Sequence, residues 1–529
     1  MACARVSCSP GLLAIIFNEL ERDHLVYPSL VCKCWNEVAR DVIWRQVEEP
    51  LEVFSLIVPL EIVEGRRDFI CTPSYLDWQR FQPIARRIRS LTLTLKCSSP
   101  DTDLSHLLHV LRLTCPHEYV LPRLEELTWY NPAEPRGHPE LICLFLTRTL
   151  KSLRMSTPTG GPRYSVDSLF DDISGRCPNL ESLCIEPIKN GTIVEAGLIR
   201  LLQQRPLRSI HLPIYFLTPR VLAASASCKQ LRILDVCVNR SDQTHNWCHA
   251  RGFPAILPIN FAFGIIQTLN LAIPLVEFNS IIDRDPSHLQ SIQNLSIRAV
   301  GMTRRDAIHQ FCELMSKRCV CLQELLLVTN RPTRETRQSH WEKTPASEAI
   351  TFETLRPLSQ LDTLTYLEIS HEHPMSVTDD EFLAIVTPLP RLQVLLMNDC
   401  PSNVTTRSSL TMECLPRLAQ ALPDLKELGL YLDISQRVPC RPSPHQFQSL
   451  DLFYPHHSSV KKGHEEDVAL FITTLLPLGG RIADADAEDY PDRSYDVLLP
   501  QSPIAGVWRK IRGQVDLIMR GREWNAGFT

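Results

Sequence analysis

Two short stretches, Leu150-Lys-Ser-Leu-Arg-Met and Leu180-Glu-Ser-Leu-Cys-Ile, carry the pattern that decides the fold. Each has an apolar residue at its first, fourth and sixth positions. In an extended chain successive side chains point to opposite faces, so the fourth and sixth positions share a face that the third and fifth do not. The pattern therefore predicts a short strand with one apolar side, which a neighbouring element must cover.

The same motif recurs along most of the chain. Between residues 124 and 231 successive motifs begin 26, 30, 27 and 24 residues apart, and over the whole series the steps range from 22 to 42. Steps of about 20–29 residues with this pattern are the signature of leucine-rich repeats, whose strands stack into one continuous core. The motifs begin at Ile88, Leu124, Leu150, Leu180, Leu207, Leu231, Ile266, Ile292, Leu322, Leu364, Leu392, Leu425 and Phe447.

The segments between the motifs are predicted to form helices. Leu104, Leu107, Leu108 and Leu111 recur at helical spacing, and prolines such as the one in Leu121-Pro-Arg end a helix and set the turn into the next strand. We therefore expect an α/β fold, an irregular leucine-rich-repeat solenoid with a curved parallel sheet and outer helices. A non-solenoid α/β domain is the alternative.

The first fifty residues predict three short helices. Ser9-Pro10 is a helix start with a hydroxyl cap, Pro28-Ser29 is a second start, and Val42, Ile43 and Trp44 form a third short stretch. About 40 residues cannot bury all their apolar faces among themselves. Some of these side chains should stay exposed unless a partner covers them.

These residues resemble an F-box. The resemblance lies in Ser9-Pro-Gly-Leu-Leu-Ala-Ile-Ile-Phe-Asn-Glu-Leu, Leu30-Val-Cys-Lys-Cys-Trp and Val42-Ile-Trp-Arg, although Ser9 stands where the family usually has leucine and Gly11 where it has glutamate. The family binds the adaptor subunit that links it to a cullin in SCF ubiquitin ligases. The resemblance implies internal packing for Phe17, Leu20, Cys34, Trp35 and Trp44. It implies adaptor contacts for Pro10, Leu12, Leu13, Ile16, Leu30 and Val31.

The end of the chain departs from the repeat pattern. After Leu476-Pro477 an acidic stretch runs from Asp484 to Asp492, and a last helix carries Trp508, Ile511, Val515 and Ile518 on one face. We interpret it as a helical cap on the open end of the solenoid. The predicted organisation is an F-box-like module over 1–50, a connecting segment over 51–85, the solenoid over 86–476, and the acidic loop with its capping helix over 477–529.

Composition excludes several classes of function. Lys and Arg number 55 against 60 Asp and Glu, a net charge of −5, so a general nucleic-acid binder is not expected. There is no phosphate-binding glycine loop or catalytic motif, so we expect no enzyme, catalytic residue or cofactor. The 19 cysteines are odd in number and lack zinc-site spacing, which favours reduced thiols without a metal. No signal sequence or membrane span is evident, so we expect no membrane association and an intracellular location, cytoplasmic, nuclear or both.

The third and fifth motif positions predict the binding surface. They should point to the concave side of the sheet, and six of the seven permanently charged residues there are acidic. We therefore expect a basic protein substrate on this face, or at least one that is not a phosphopeptide, because phosphate recognition needs a cluster of arginines and this row has one. The alternative is that other segments cover the face and its charges are merely solvated. The residues are Glu126, Arg154, Asp235, Glu324, Glu368, Glu427 and Asp451.

Together the two regions resemble the F-box/leucine-rich-repeat class, particularly the large expanded families of mushroom-type fungi. The resemblance implies a non-catalytic substrate-recognition subunit of an SCF-type ubiquitin ligase. Its partners would be the adaptor subunit, a cullin through it, and an unidentified protein substrate. The alternative is a leucine-rich interaction scaffold that acts outside any ubiquitin ligase.

Overall fold

A computed structural model describes most of the chain, and it divides into two compact units, residues 1–231 and 232–529. The described residues are 9–63, 66–94, 104–130, 139–156, 165–186, 195–213, 216, 218–237, 265–284, 289–299, 301–329, 345–401, 407–435, 438–439, 445–455, 458–483 and 503–526. The predicted acidic stretch from Asp484 to Asp492 lies outside them.

The N-terminal module folds as short helices, but their bounds differ from the predicted ones. The elements are α1 (Pro10–Asn18), a 3-10 turn (Arg22–Leu25), α2 (Val26–Ser29), α3 (Lys33–Ile43) and the two-residue strand β1 (Gln46–Val47). Pro10 occupies the first turn of α1 as predicted, but the Ser9 side chain makes no capping hydrogen bond. Pro28 lies inside α2 rather than starting the next helix, which begins at Lys33. The predicted third helix is wrong, because Val42 and Ile43 are the last turn of α3.

The segment between the module and the repeats has its own structure. It contains α4 (Pro50–Phe54), the antiparallel pair β2 (Leu60–Val63) and β3 (Arg66–Phe69), and α5 (Tyr75–Ala85). A capping box starts α5, since the Ser74 side chain accepts the Asp77 N–H and the Asp77 carboxylate accepts the Ser74 N–H at 2.9 Å. Trp78 and Phe81 then bury one face of the helix.

In the first unit the motifs form parallel strands, as predicted. They pair in the order β1, β4, β5, β6, β7, β8. The sheet therefore begins with β1, whereas the sequence predicted its first strand in the motif at Ile88. Leu127, Leu153, Leu183 and Ile210 hold equivalent places in the register and are no more than 1% exposed. The new strands are β4 (Ser90–Thr94), β5 (Glu126–Tyr130), β6 (Ser152–Ser156), β7 (Ser182–Glu186) and β8 (Ser209–Pro213).

Helices connect these strands, and their apolar sides are buried. Leu107, Leu108 and Leu111 are fully buried, which confirms the helix predicted there. The connecting elements are α6 (Ser105–Thr114), a 3-10 helix (Pro139–Leu144), α7 (Val166–Arg176), α8 (Glu195–Gln204) and α9 (Pro219–Ala226).

The second unit repeats the arrangement with further parallel strands. They pair in the order β9 to β15, then β17 and β19. The strands are β9 (Ile233–Cys237), β10 (Thr268–Ile273), β11 (Asn294–Ala299), β12 (Glu324–Val328), β13 (Tyr366–Ser370), β14 (Val394–Met397), β15 (Glu427–Leu430), β16 (Asp433–Ile434), β17 (Leu452–Tyr454), β18 (Ser459–Val460) and β19 (Arg481–Ile482).

The register of β17 corrects the last motif. Leu452 pairs with Glu427, and Phe453 pairs with Leu428. The apolar residues that face the core are therefore Leu450 and Phe453, three residues later than the predicted reading from Phe447. Two overlapping apolar patterns fit this stretch, and packing against β15 selects the second. As a result Asp451 lies before the strand, and Tyr454 takes the fifth motif position that was predicted for Asp451.

Helices also line the second unit, and the predicted C-terminal helix closes it. Along α16 the buried residues are Trp508, Ile511, Val515 and Met519, with Met519 in place of the predicted Ile518. The Trp508 indole donates a hydrogen bond of 2.9 Å to the carbonyl of Ser458. The helices are α10 (Leu275–Arg284), α11 (Arg305–Arg318), α12 (Phe352–Leu355), α13 (Asp379–Val386), α14 (Cys414–Ala421), α15 (Glu465–Leu475) and α16 (Pro503–Ala526), with 3-10 helices at Ala346–Glu348 and Arg356–Gln360.

Candidate interaction surfaces

The N-terminal module leaves a set of large apolar side chains in solvent, which we call the apolar set. Leu30 is 78% exposed, Val31 61%, and Leu12 and Ile16 nearly half. Exposed aliphatic side chains that lie close together are typical of a contact surface for another protein. The apolar set comprises Leu12, Ile15, Ile16, Val26, Tyr27, Leu30 and Val31.

A small core holds the apolar set in place. Leu13 and Phe17 on α1 pack with Leu25, Val38 and Ala39, and all five side chains are buried. The Phe17 and Trp35 rings meet edge to face, with their centroids 5.4 Å apart. The Asn36 amide donates a 2.7 Å hydrogen bond to the carbonyl of Ser29, which fixes the chain just before Leu30.

For two residues the burial differs from what the family resemblance implied. Leu13 is only 2% exposed because it packs beside Phe17 of the same helix in the small core with Val38, so its side chain is not available for the predicted adaptor contact. Leu20 was expected inside but is 39% exposed, since it lies beyond the last turn of α1. Pro10, Leu12, Ile16, Leu30 and Val31 are exposed, so they remain available to a partner.

Sequence reasoning missed Ile15, Val26 and Tyr27. They are 63%, 53% and 71% exposed; Ile15 lies on α1 with Leu12 and Ile16, and Val26 and Tyr27 lie on α2, just before Leu30 and Val31. The signal was present in Leu12-Leu-Ala-Ile-Ile-Phe, where apolar residues surround α1 instead of following one stripe. A helix that is apolar all round cannot bury every side in so small a module.

The module is fixed directly to the repeat sheet. The carbonyl of Arg45 accepts the N–H groups of Arg89 and Ser90, each at 2.9 Å, so β1 is the first strand of the sheet. The Arg87 guanidinium donates to the carboxylates of Glu37 and Asp41 on α3 and to the Glu37 carbonyl at 3.2 Å. The hydrogen bond from Arg87 lowers the pKa of the Glu37 carboxyl below its ordinary value. Any partner bound to the helices is thereby held in a fixed relation to the first strands.

On the first unit's strands the third and fifth motif positions carry few charges. Glu126 and Arg154 are both exposed, as predicted for this face. The Arg154 guanidinium lies 3.7 Å from the carboxylate of Glu186. Arg154 pairs with Cys184 in the register, and Glu186 lies two residues after Cys184 on the same strand. This part of the face is therefore mixed in charge and largely hydroxyl-bearing.

On the second unit's strands the predicted acidic residues are mostly engaged or buried. Glu324 is exposed and Asp235 is half-buried, but Glu368 is only 5% exposed and accepts the Tyr366 hydroxyl. The Glu427 carboxylate accepts the Tyr454 hydroxyl at 3.0 Å. With Asp451 outside the strand, these residues do not form the continuous negative row that the sequence predicted.

An apolar cluster replaces the acidic row where Glu368 and Glu427 lie. Leu396 and Tyr454 are buried, and Tyr366, Val394 and Leu452 pack against them. Sequence reasoning missed this cluster because it looked for charge at the third and fifth positions. Val394 and Leu396 already hold those positions in the motif that begins at Leu392.

No chemistry-bearing cluster emerges from the described residues. Among them no three His, Cys, Asp or Glu side chains are arranged to hold a metal ion. Burial raises the pKa of the Cys177 and Cys312 thiols to about 12, so both stay protonated and are poor nucleophiles. In the described part of the chain, none of the helices is both long and apolar enough to cross a membrane.

Comparison with known proteins gives similarities in structure but not in sequence. No protein-family model matches the chain, and no curated protein matches it in sequence. Among solved structures it is similar to the leucine-rich repeat-containing protein LegL7 from Legionella pneumophila, at 14% identity and a TM-score of 0.32. The alignment covers 73% of this chain and 98% of that one. At this TM-score the similarity adds no argument of its own; the stacked parallel strands themselves define a leucine-rich-repeat fold.

Proposed function

We propose that the chain is the substrate-recognition subunit of an SCF-type ubiquitin ligase. The observation that carries the proposal is the apolar set, exposed on helices that continue directly into the first strand of the repeat sheet. Four of its residues, for which the F-box resemblance implies adaptor contacts, would dock onto the adaptor subunit: Leu12, Ile16, Leu30 and Val31. The repeat face would hold the protein substrate.

The mechanism is positional. A substrate held on the strand face of the first unit, which carries Glu126 and Arg154, would be kept near the ubiquitin-charged enzyme that the cullin recruits. Tethering raises the effective concentration of the substrate lysines without new chemistry from this chain. A rigid tether serves this better than a loose one, and Arg87 with the β1 strand supplies that rigidity in the first unit.

The test is capture of the purified adaptor subunit by the full chain, compared with the double variant Ile16→Glu/Leu30→Glu. Both side chains are exposed, so the variant should fold while a buried carboxylate in the contact abolishes adaptor capture. Leu113→Glu is the matched control, because Leu113 is 84% exposed but lies on α6, outside the apolar set. It should bind like the wild type.

A second arm separates the ligase from a scaffold. The wild-type chain with adaptor should recruit the cullin, whereas adaptor capture without cullin recruitment would favour a scaffold outside any ligase. If the wild type does not capture the adaptor, or the double variant captures it equally well, the proposed docking is wrong.

A further inference from the structure

A row of charged side chains runs along the edge of the first unit's sheet. The second motif position carries Arg89, Glu125, Lys151, Glu181 and Arg208 on successive strands. The signs alternate, and neighbours pair: Lys151 lies 2.8 Å from Glu125, Arg89 lies 3.5 Å from Glu125, and Arg208 lies 3.5 Å from Glu181. Each charge in this row therefore has an opposite charge beside it.

The alternation fails at the N-terminal end of the row. Arg45 precedes β1 and occupies the place next to Arg89, as the hydrogen bond from the Arg89 N–H to the Arg45 carbonyl shows. Neighbouring strands lie about 4.8 Å apart, so the side chains of Arg45 and Arg89 begin close together. No carboxylate separates them in the row. Like charges in adjacent positions repel each other and favour a bound counter-charge.

These two arginines line a cleft of about 510 Å³ at the junction between the helical module and the sheet. Its other charged walls come from the end of α5 and from the loop before β5, and its apolar floor comes from α1, α3 and α5. The lining residues are Ala14, Asp41, Val42, Arg45, Pro83, Arg86, Arg87, Arg89 and Arg123.

The acids near the cleft are already engaged. Asp41 is paired with Arg87, and Glu125 is shared between Arg89 and Lys151. Within the part of the chain that the structure describes, no carboxylate lies within 4 Å of the guanidinium groups of Arg45, Arg86 and Arg123, and none of them makes a side-chain hydrogen bond. The charge of Arg45 acts on the Glu125 carboxyl only at longer range.

Arg87 adds a further unsatisfied donor. Its side chain is 15% exposed, and its buried Nε–H has no acceptor among the described residues. An unpaired buried donor on a cation is costly, and an anion in the cleft would reduce that cost. Five guanidinium groups thus converge in a chain whose net charge is −5.

We propose that this cleft binds a small anion that carries two or more phosphate groups. Guanidinium groups match phosphate oxygens with paired hydrogen bonds, and the cleft has the volume of a small-molecule site rather than that of a single phosphate. Ala14 lies about 160° around α1 from both Leu12 and Ile16, so the anion would not occupy the side of the helix that carries these two residues. The proposal does not depend on the proposed ligase function.

The test measures binding of pyrophosphate and tripolyphosphate to the full chain by calorimetry at constant ionic strength, with orthophosphate and sulfate as comparisons. Tripolyphosphate should bind more tightly than orthophosphate and raise the melting temperature. In the variant Arg45→Gln/Arg86→Gln its affinity should fall at least about tenfold. Without ligand, the melting temperature of this variant should not fall, because both side chains are exposed and unpaired.

The matched control is Arg112→Gln/Arg391→Gln, which removes the same charge from exposed arginines outside the cleft. It should retain wild-type affinity. Equal losses in both variants would show general electrostatic attraction and overturn the proposal. So would equal binding of sulfate and tripolyphosphate, or tighter binding of an oligoglutamate peptide, which would indicate an acidic protein segment as the occupant.

Discussion

Aliphatic side chains are largely buried in the repeat strands, whereas many of those in the helical module are exposed. In the strands Leu153, Leu183 and Ile210 are fully buried, whereas in the module Leu30 is 78% exposed and Ile15 is 63% exposed. Each strand has a neighbour and a helix to cover its apolar side, while three short helices surround a core of only a few residues. Burial of the strand residues therefore depends on repetition, which the helical module lacks.

The largest test of this contrast deletes the same side chain in both regions. Leu183→Ala should lower the free energy of unfolding by about 3 kcal/mol, because it opens a cavity between strands. Leu30→Ala should change it by less than about 0.5 kcal/mol, since the side chain is already in water. Urea unfolding measures both. Similar losses at the two positions would show that the module is covered in solution and would break the comparison.

A second test concerns a polar exception in the second unit's repeat core. His371 follows β13 and is fully buried, and burial lowers its pKa to about 4, although a hydrogen bond with His373 and the charges of Glu372 and Glu348 oppose the shift. The unfolded chain binds this proton at higher pH than the folded one, so stability is full above about pH 6.5 and falls as the pH drops towards 4. We expect the histidine to account for about 2 kcal/mol of that loss.

The check on His371 is the variant His371→Gln, which keeps a polar side chain but cannot titrate. Its free energy of unfolding should fall less between pH 7 and pH 4.5 than that of the wild type. Parallel curves for the two proteins would mean that the buried imidazole is not the group that responds to acid.

The smallest expected effect concerns the junction between the two regions. Arg87→Ala removes the guanidinium that links Glu37 and Asp41 of α3 to the start of β4, and should lower the free energy of unfolding by about 1 kcal/mol. Arg80→Ala is the control, because Arg80 is 79% exposed and its guanidinium lies 3.9 Å from Asp77, the one carboxylate among the described residues that is within 4 Å of it. The control should cost less. If both variants unfold alike, the module and the sheet are joined by the β1 backbone alone.

The sequence predicted the strands well because their signal is repeated. In all the motifs before Phe447, the residue expected at the third position is the one that the register places there, as Glu126, Ser152 and Glu324 illustrate. The last motif failed because Phe447, Leu450 and Phe453 fit two overlapping readings. β1 was missed because two residues carry no periodic pattern at all.

The candidate site was less predictable, because it depends on which groups meet across elements. Charge at the third and fifth positions could be read directly, but the Tyr454 hydroxyl that engages Glu427 could not, because it lies on the neighbouring strand β17. Leu13 shows the same limit within one helix. It resembles Leu12 in the sequence, and only the packing of α3 against α1 decides that Leu13 is buried and Leu12 is not.

The sequence by itself determined that this chain is a stack of short parallel strands with helices between them, because alternation along a strand and recurrence along the chain are local properties that survive any detail of packing. Only the tertiary structure decided where charge and apolar surface remain unpaired. The convergence of Arg45, Arg86 and Arg123 at one cleft involves residues far apart in the chain, and no local pattern records that they meet. Sequence periodicity determines which face of each element must be buried. The packing of the elements determines which charged and apolar side chains remain exposed to a partner.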